Sequence, residues 1–98
     1  MNEHVSAQNV NVHVRFTEWQ SLLDLCKDKD SLLTYVLSVN QHYDVVLICV
    51  SKKDVNCIID ILGDLLATIG FDEEYNPNEK GKIIESVIDK FTNASIEA

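Results

Sequence analysis

The chain has 98 residues, 46% of them hydrophobic and 24% charged, with three glycines and one proline, a composition that excludes the disordered class. A domain of this size buries roughly two-thirds of its unfolded surface, enough for one compact core. The balance of 16 Asp and Glu against 8 Lys and Arg, a formal net charge of −8, disfavours direct nucleic-acid binding, because phosphate contacts need clustered basic side chains. The same charge draws basic partners by long-range steering.

Cys26, Cys49 and Cys57 are odd in number and lie inside apolar stretches with no close-spaced pair. That usage fits reduced, packed thiols and a cytoplasmic protein rather than a disulfide framework. The N-terminal stretch MNEHVSAQNV has neither the basic nor the apolar region of a signal peptide. No apolar run approaches the ~20 residues of a membrane helix. A single domain over residues 1–98 is expected, loosely ordered over 1–8 and 93–98.

Taken in chain order, Val10, Val12, Val14 and Phe16 alternate with Asn11, His13 and Arg15, which predicts a strand with one buried face. His13 falls on the polar face with no second ligand at a metal-binding spacing. Thr17 and Gln20 fit a capping box, and Trp19, Leu22, Leu23 and Cys26 form the apolar stripe of a first helix, with Trp19 assigned to the core. After the charged run Lys27 to Asp30, Asp30 or Ser31 caps a second helix whose Leu32, Leu33, Val36 and Leu37 repeat the helical step. That pattern fades at Asn40-Gln41-His42.

Residues 43–50 contain an apolar run, Val45 to Val50, that is short and β-branched. It predicts a strand buried on both faces, pairing parallel with the first strand through a right-handed crossover. A buried helix here is the alternative, giving an all-α bundle.

Ser51 is the candidate cap of a third helix, with Asp54 favourable near its N-terminus and Val55, Ile58, Ile59, Leu62, Leu65, Leu66 and Ile69 as its stripe. Gly70 is expected to end it in the left-handed conformation. Gly63 lies mid-helix, where glycine costs about 1 kcal/mol against alanine, so a close neighbour is expected there. Asp60 and Asp64, four residues apart, lie off the stripe. No basic residue occurs between Lys53 and Lys80.

The loop FDEEYNPNEKG, Phe71 to Gly81, combines carboxylates with Tyr75 and Pro77. Asp72, Glu74, Asn76 and Asn78 alternate like calcium-loop ligands, but Pro77 replaces the required glycine and Ile83 the terminal glutamate, which argues against calcium. Asn78 can cap a last helix built on Ile83, Ile84, Val87, Ile88 and Phe91. The expected fold is α+β and predominantly helical, with about four helices and two short strands in the order β-α-α-β-α-α. The chain has no phosphate-binding glycine loop, no Cys or His pair at zinc spacing and no nucleophile elbow. These absences favour a binding protein without cofactor over an enzyme.

A small, acidic chain with an acid-and-tyrosine loop between core helices resembles the bacterial immunity proteins, which neutralise toxins of colicin or contact-dependent growth-inhibition systems. The segment Tyr75-Asn76-Pro77-Asn78-Glu79-Lys80-Gly81-Lys82-Ile83-Ile84 is similar to the proline-glycine-isoleucine approach to the last helix of colicin immunity proteins. The proline-to-glycine spacing differs, and Tyr75 stands alone where that family has a tyrosine pair. The chain is also similar to barstar in size, charge and the mixing of helices with a small parallel sheet.

The resemblance implies a cytoplasmic inhibitor that binds a basic toxin domain, a nuclease, one-to-one, with no direct nucleic-acid or membrane partner. Asp60, Asp64, Asp72, Glu73, Glu74 and Tyr75 are then the candidate contact surface. The rival is a small structural or regulatory module that docks through an apolar surface containing Leu25, Tyr35, Val39 and Ile61.

Overall fold

The structure, a computed structural model, describes residues 8–27 and 29–97, without the side chains of Lys29 and Glu97. Strand β1 (Asn9–Arg15) runs directly into helix α1 (Phe16–Leu25), followed by α2 (Lys29–Thr34) and a hairpin of β2 (Val36–His42) and β3 (Val45–Ser51). A 3-10 turn, Lys52–Asp54, leads into α3 (Val55–Ile69), and a loop connects this to α4 (Glu79–Glu97). The fold is α+β. Its sheet is antiparallel throughout, in the order β1-β3-β2.

Alternation in the sequence builds the core. Val10, Val12 and Val14 stand opposite Val50, Ile48 and Val46 across the β1–β3 pair, so all six side chains emerge on one face. They are buried against Trp19 and Leu22 of α1, Leu32 of α2, Ile58 and Leu62 of α3, and Ile84, Val87 and Phe91 of α4. Helix α4 packs on β1, α1 and α3.

The sheet departs from expectation in three respects, and the all-α alternative is excluded with it. It has three strands rather than two, and β1 pairs antiparallel rather than parallel with the strand at 45–51. That strand is buried on one face only, with Val45, Leu47 and Cys49 half-buried on the other. The predicted second helix stops at Thr34, and Val36–His42 is the additional strand. A bulge between Val36 and Ser38 explains the misassignment. It sets Val36 opposite Val50 and Val39 opposite Ile48, so two valines three residues apart share one face and imitate a helical step.

The helix ends are also revised. Helix α1 starts at Phe16, whose N–H donates to the Asp44 carbonyl at 2.7 Å, and its cap, Arg15, makes no side-chain hydrogen bond. Thr17 is therefore inside the helix. Ser51 precedes the 3-10 turn without a side-chain bond, and Asp54 does the same for α3. Asn78 does act as a cap: its Oδ1 accepts from the Gly81 N–H at 2.8 Å, while its Nδ2 donates to the Ile69 carbonyl at 2.9 Å. One side chain thus joins the end of α3 to the start of α4. Helix α4 continues to Glu97 with Ala94 against the core. The looseness expected of residues 1–7 lies outside the described residues; the Gln8 carbonyl accepts from Lys52 N–H at 2.9 Å.

Gly70 is not left-handed, with φ −90° and ψ −3°. Its glycine requirement is steric. A Cβ on Gly81 would sit 2.1 Å from the Gly70 carbonyl oxygen, and one on Gly70 would sit 2.5 Å from Leu66 Cδ1 and 3.1 Å from Gly81 Cα. Gly63, where a close neighbour was expected, has none within 4 Å.

A polar contact adds to the packing of α1 on α4. Glu18 accepts from Lys90 Nζ and, at 2.9 Å, from Ser86 Oγ. Burial pushes the Glu18 pKa up, but the hydrogen bonds from Lys90 and Ser86, with the charges of Lys90 and Arg15, outweigh it and hold the carboxyl below its ordinary 4.5. Among the described residues, no helix is long and apolar enough to cross a membrane.

Gly81→Ala should lower unfolding stability by about 2–3 kcal/mol, whereas Gly63→Ala should raise it by about 1 kcal/mol, both read from denaturant melts. Lys90→Met should cost about 1–2 kcal/mol at neutral pH. Because the folded pKa of Glu18 is depressed, its stabilisation is complete above the unfolded value of 4.5 and is lost as pH falls through the folded one. Wild-type and Lys90→Met melts should therefore converge below that pH.

Candidate functional site

The loop between α3 and α4 closes on itself. Asn78 N–H donates to the Gly70 carbonyl at 2.9 Å, and Phe71 bridges Pro77 in antiparallel fashion. Asp72 organises the interior: its carbonyl accepts from Tyr75 N–H at 3.0 Å, and its N–H donates to the Asn76 carbonyl at 2.9 Å. The same residue's Oδ1 accepts from Glu74 N–H at 2.8 Å and Asn76 N–H at 3.0 Å. An aspartate that bonds the backbone two residues on favours a turn. Asp72, predicted as a contact residue, is exposed and also positions the loop.

Tyr75 takes φ 65°, a left-handed conformation that costs a side-chain-bearing residue roughly 1–2 kcal/mol. Its ring recovers nothing by burial, being 86% exposed rather than tucked beneath the loop. Glu73 and Glu74 are exposed beside it. The loop therefore holds an aromatic ring and two solvated carboxylates outward on a hydrogen-bonded frame. Such groups suit charge display and contact; proton transfer calls for a carboxyl in an apolar cleft.

Asp60 and Asp64 are exposed one turn apart on α3, whereas Asp72 to Tyr75 lie past its end. The structure so divides the predicted surface into a helical pair and a loop cluster. Asp64 also lines an open groove of about 540 Å³ between α3 and the α1–α2 segment, whose apolar wall includes Leu25, Cys26, Tyr35, Ile61, Leu65 and Ile69. Three members of the rival apolar set, Leu25, Tyr35 and Ile61, therefore meet in one groove. They are half-buried, and Val39 lies apart on β2.

Tyr43 was not singled out as a site residue from the sequence. At the two-residue β2–β3 turn it has φ 58°, is 84% exposed and meets His42 edge-on with ring centroids 4.7 Å apart. A positive φ at the first turn position normally selects glycine, and no glycine marks this turn. With His13, Asp44, Val45 and Leu47 these residues line a second cleft of about 490 Å³. No group of three His, Cys, Asp or Glu among the described residues could hold a metal ion. Cys26 is buried, and Cys49 and Cys57 are half-buried, all as free thiols.

Compared with known protein families, characterised proteins and solved structures, the chain matches no family, no characterised protein and no solved structure. The parallel sheet that the likeness to barstar invoked is antiparallel here.

The loop geometry predicts a separation of stability from display. Tyr75→Gly should keep or raise stability, by up to about 1 kcal/mol, because glycine adopts a positive φ without strain. Asp72→Ala should cost about 1 kcal/mol and speed amide hydrogen exchange at Glu74 and Asn76.

Proposed function

We propose that this chain is a bacterial immunity protein, a cytoplasmic inhibitor that binds a basic toxin domain, a nuclease of the colicin or contact-dependent growth-inhibition kind, one-to-one. The observation that carries this is Tyr75, exposed and left-handed beside the solvated carboxylates of Glu73 and Glu74 on a closed loop. Strain of this kind persists where the surroundings over-determine it, and it clusters at functional sites. No basic residue occurs between Lys53 and Lys80, so the charged side chains of α3 and its following loop are all carboxylates, with Lys27 across the groove from Asp64.

Inhibition proceeds by occupancy, without catalysis, cofactor or metal. A nuclease needs a positive groove for its substrate, and carboxylates on a hydrogen-bonded loop cover that groove in place of phosphates. Opposite fields speed the encounter, while a few desolvated anchors set the off-rate. Glu73, Glu74, Asp60 and Asp64 supply the field. Tyr75 supplies the anchor, tyrosine combining a large apolar face with a polar tip.

The apolar groove beside Asp64 favours a second reading, a regulatory module docking through Leu25, Tyr35 and Ile61. Salt separates the two, since charge-steered association falls as ionic strength rises and apolar docking does not.

Capture from the source bacterium should recover a basic, nucleic-acid-cleaving domain at one-to-one stoichiometry. Against it, the double variant Glu73→Lys, Glu74→Lys should slow association by about tenfold or more at low salt and flatten the salt dependence. Tyr75→Gly should instead act on dissociation, by about tenfold. A partner whose rates ignore all three substitutions places the interface elsewhere.

A further inference from the structure

Strand β2 stands at the edge of the sheet, paired with β3 on one side and with no described strand on the other. Every residue from Leu37 to His42 is exposed, and Val36–His42 contains neither a charged residue nor a proline. Natural edge strands are usually blunted by charge, proline, a bulge or a covering element, because a bare edge templates another strand. Among the described residues, β2 has the bulge between Val36 and Ser38 but no charge, proline or pairing strand on its outer side. The other edge differs: β1 buries alternate side chains, ends in Arg15 and carries α4.

Beyond Val36, which packs against the core, the helices leave β2 exposed even on the side they cover elsewhere. Val39 and Gln41 stand opposite the buried Ile48 and Val46, yet both are exposed, Val39 at 43%, and Leu37 in the bulge is 59% exposed.

We propose that β2 pairs antiparallel with β2 of a second copy about a two-fold axis normal to the sheet, joining the two protomers' sheets into a continuous one. The outward amides and carbonyls of an edge are matched in full only by another extended strand. The occupant follows from charge. On a chain of net charge −8, most self-contacts set carboxylates against carboxylates, whereas the charge-free β2 avoids like charges across the seam. The two-fold keeps both helix layers on one side, so Val39 of each copy gains cover at the seam that its own helices do not supply. The pairing is isologous and closes at two copies. A seven-residue strand falls short of the about 1,600 Å² buried by a standard stable interface. The dimer therefore dissociates on dilution.

Sedimentation equilibrium of the full chain over a concentration series, with amide hydrogen exchange, tests this. The expected result is a monomer–dimer equilibrium that tightens with added salt, as repulsion between the acidic copies is screened, with concentration-dependent protection within residues 36–42. Asn40→Lys places a charge at an exposed position of the strand and should weaken dimerisation by about tenfold, with an unchanged circular dichroism spectrum. Should that variant misfold, Ser38→Lys makes the same test. A chain that stays monomeric at every concentration, a dimer indifferent to the added lysine, or one that leaves β2 amides unprotected would overturn the proposal. Because salt strengthens this contact and weakens that to a basic partner, its failure is separate from failure of the immunity function.

Discussion

The rest of the structure depends on one contact, the valine and isoleucine face of β1 and β3 against the helix layer. Val10, Val12, Val14, Val46, Ile48 and Val50 are all buried there, and each such side chain stabilises the fold by about 1.5–3 kcal/mol relative to exposure. Because α4 packs along β1, burial is concentrated at that side of the sheet. Strand β2 remains as a bare margin. The charged side chains Asp60 and Asp64 stay outside the core because the stripe of α3, Val55, Ile58 and Leu62, faces inward. Acidic exterior and bare edge both follow from how the apolar layer is closed.

The α3–α4 junction converts that packing into a defined surface. Gly70 and Gly81 let two backbones approach where any side chain would collide, and Asn78 bonds both helix ends across the gap. Within this frame Asp72 fixes the turn that forces Tyr75 into a positive φ. The hydrogen bonds fix the backbone beneath Tyr75, while its side chain stays in solvent. The strain at Tyr75 reduces stability locally where a ring is exposed.

Much of this was legible in the residues. The alternation from Val10 to Phe16, the three-and-four spacing from Val55 to Ile69 and the apolar steps from Ile83 to Phe91 named β1, α3 and α4, because one-sided burial imposes those periods. Asn78 was readable as a cap because its amide can replace a missing helical partner. Strand β2 was not readable, since its bulge gives two valines a helical spacing and its turn, Tyr43-Asp44, lacks the glycine that usually marks a hairpin. Pairing direction was equally hidden, for it depends on that missed strand. The acidic set was visible as composition, but its division between a helix face and a loop, and the structural employment of Asp72, depend on backbone hydrogen bonds that no residue pattern specifies. The glycine contact between positions 70 and 81 likewise arises only in three dimensions.

The measurement that bears most directly on the central claim is a titration of toxin activity. Any basic domain captured with this chain from its source would be assayed for nucleic-acid cleavage while the purified chain is added. An immunity protein abolishes cleavage at an equimolar ratio, with loss of inhibition as Glu73 and Glu74 are reversed in charge. Cleavage that persists at an excess of the chain, or a source from which no such basic domain can be recovered, would contradict the account.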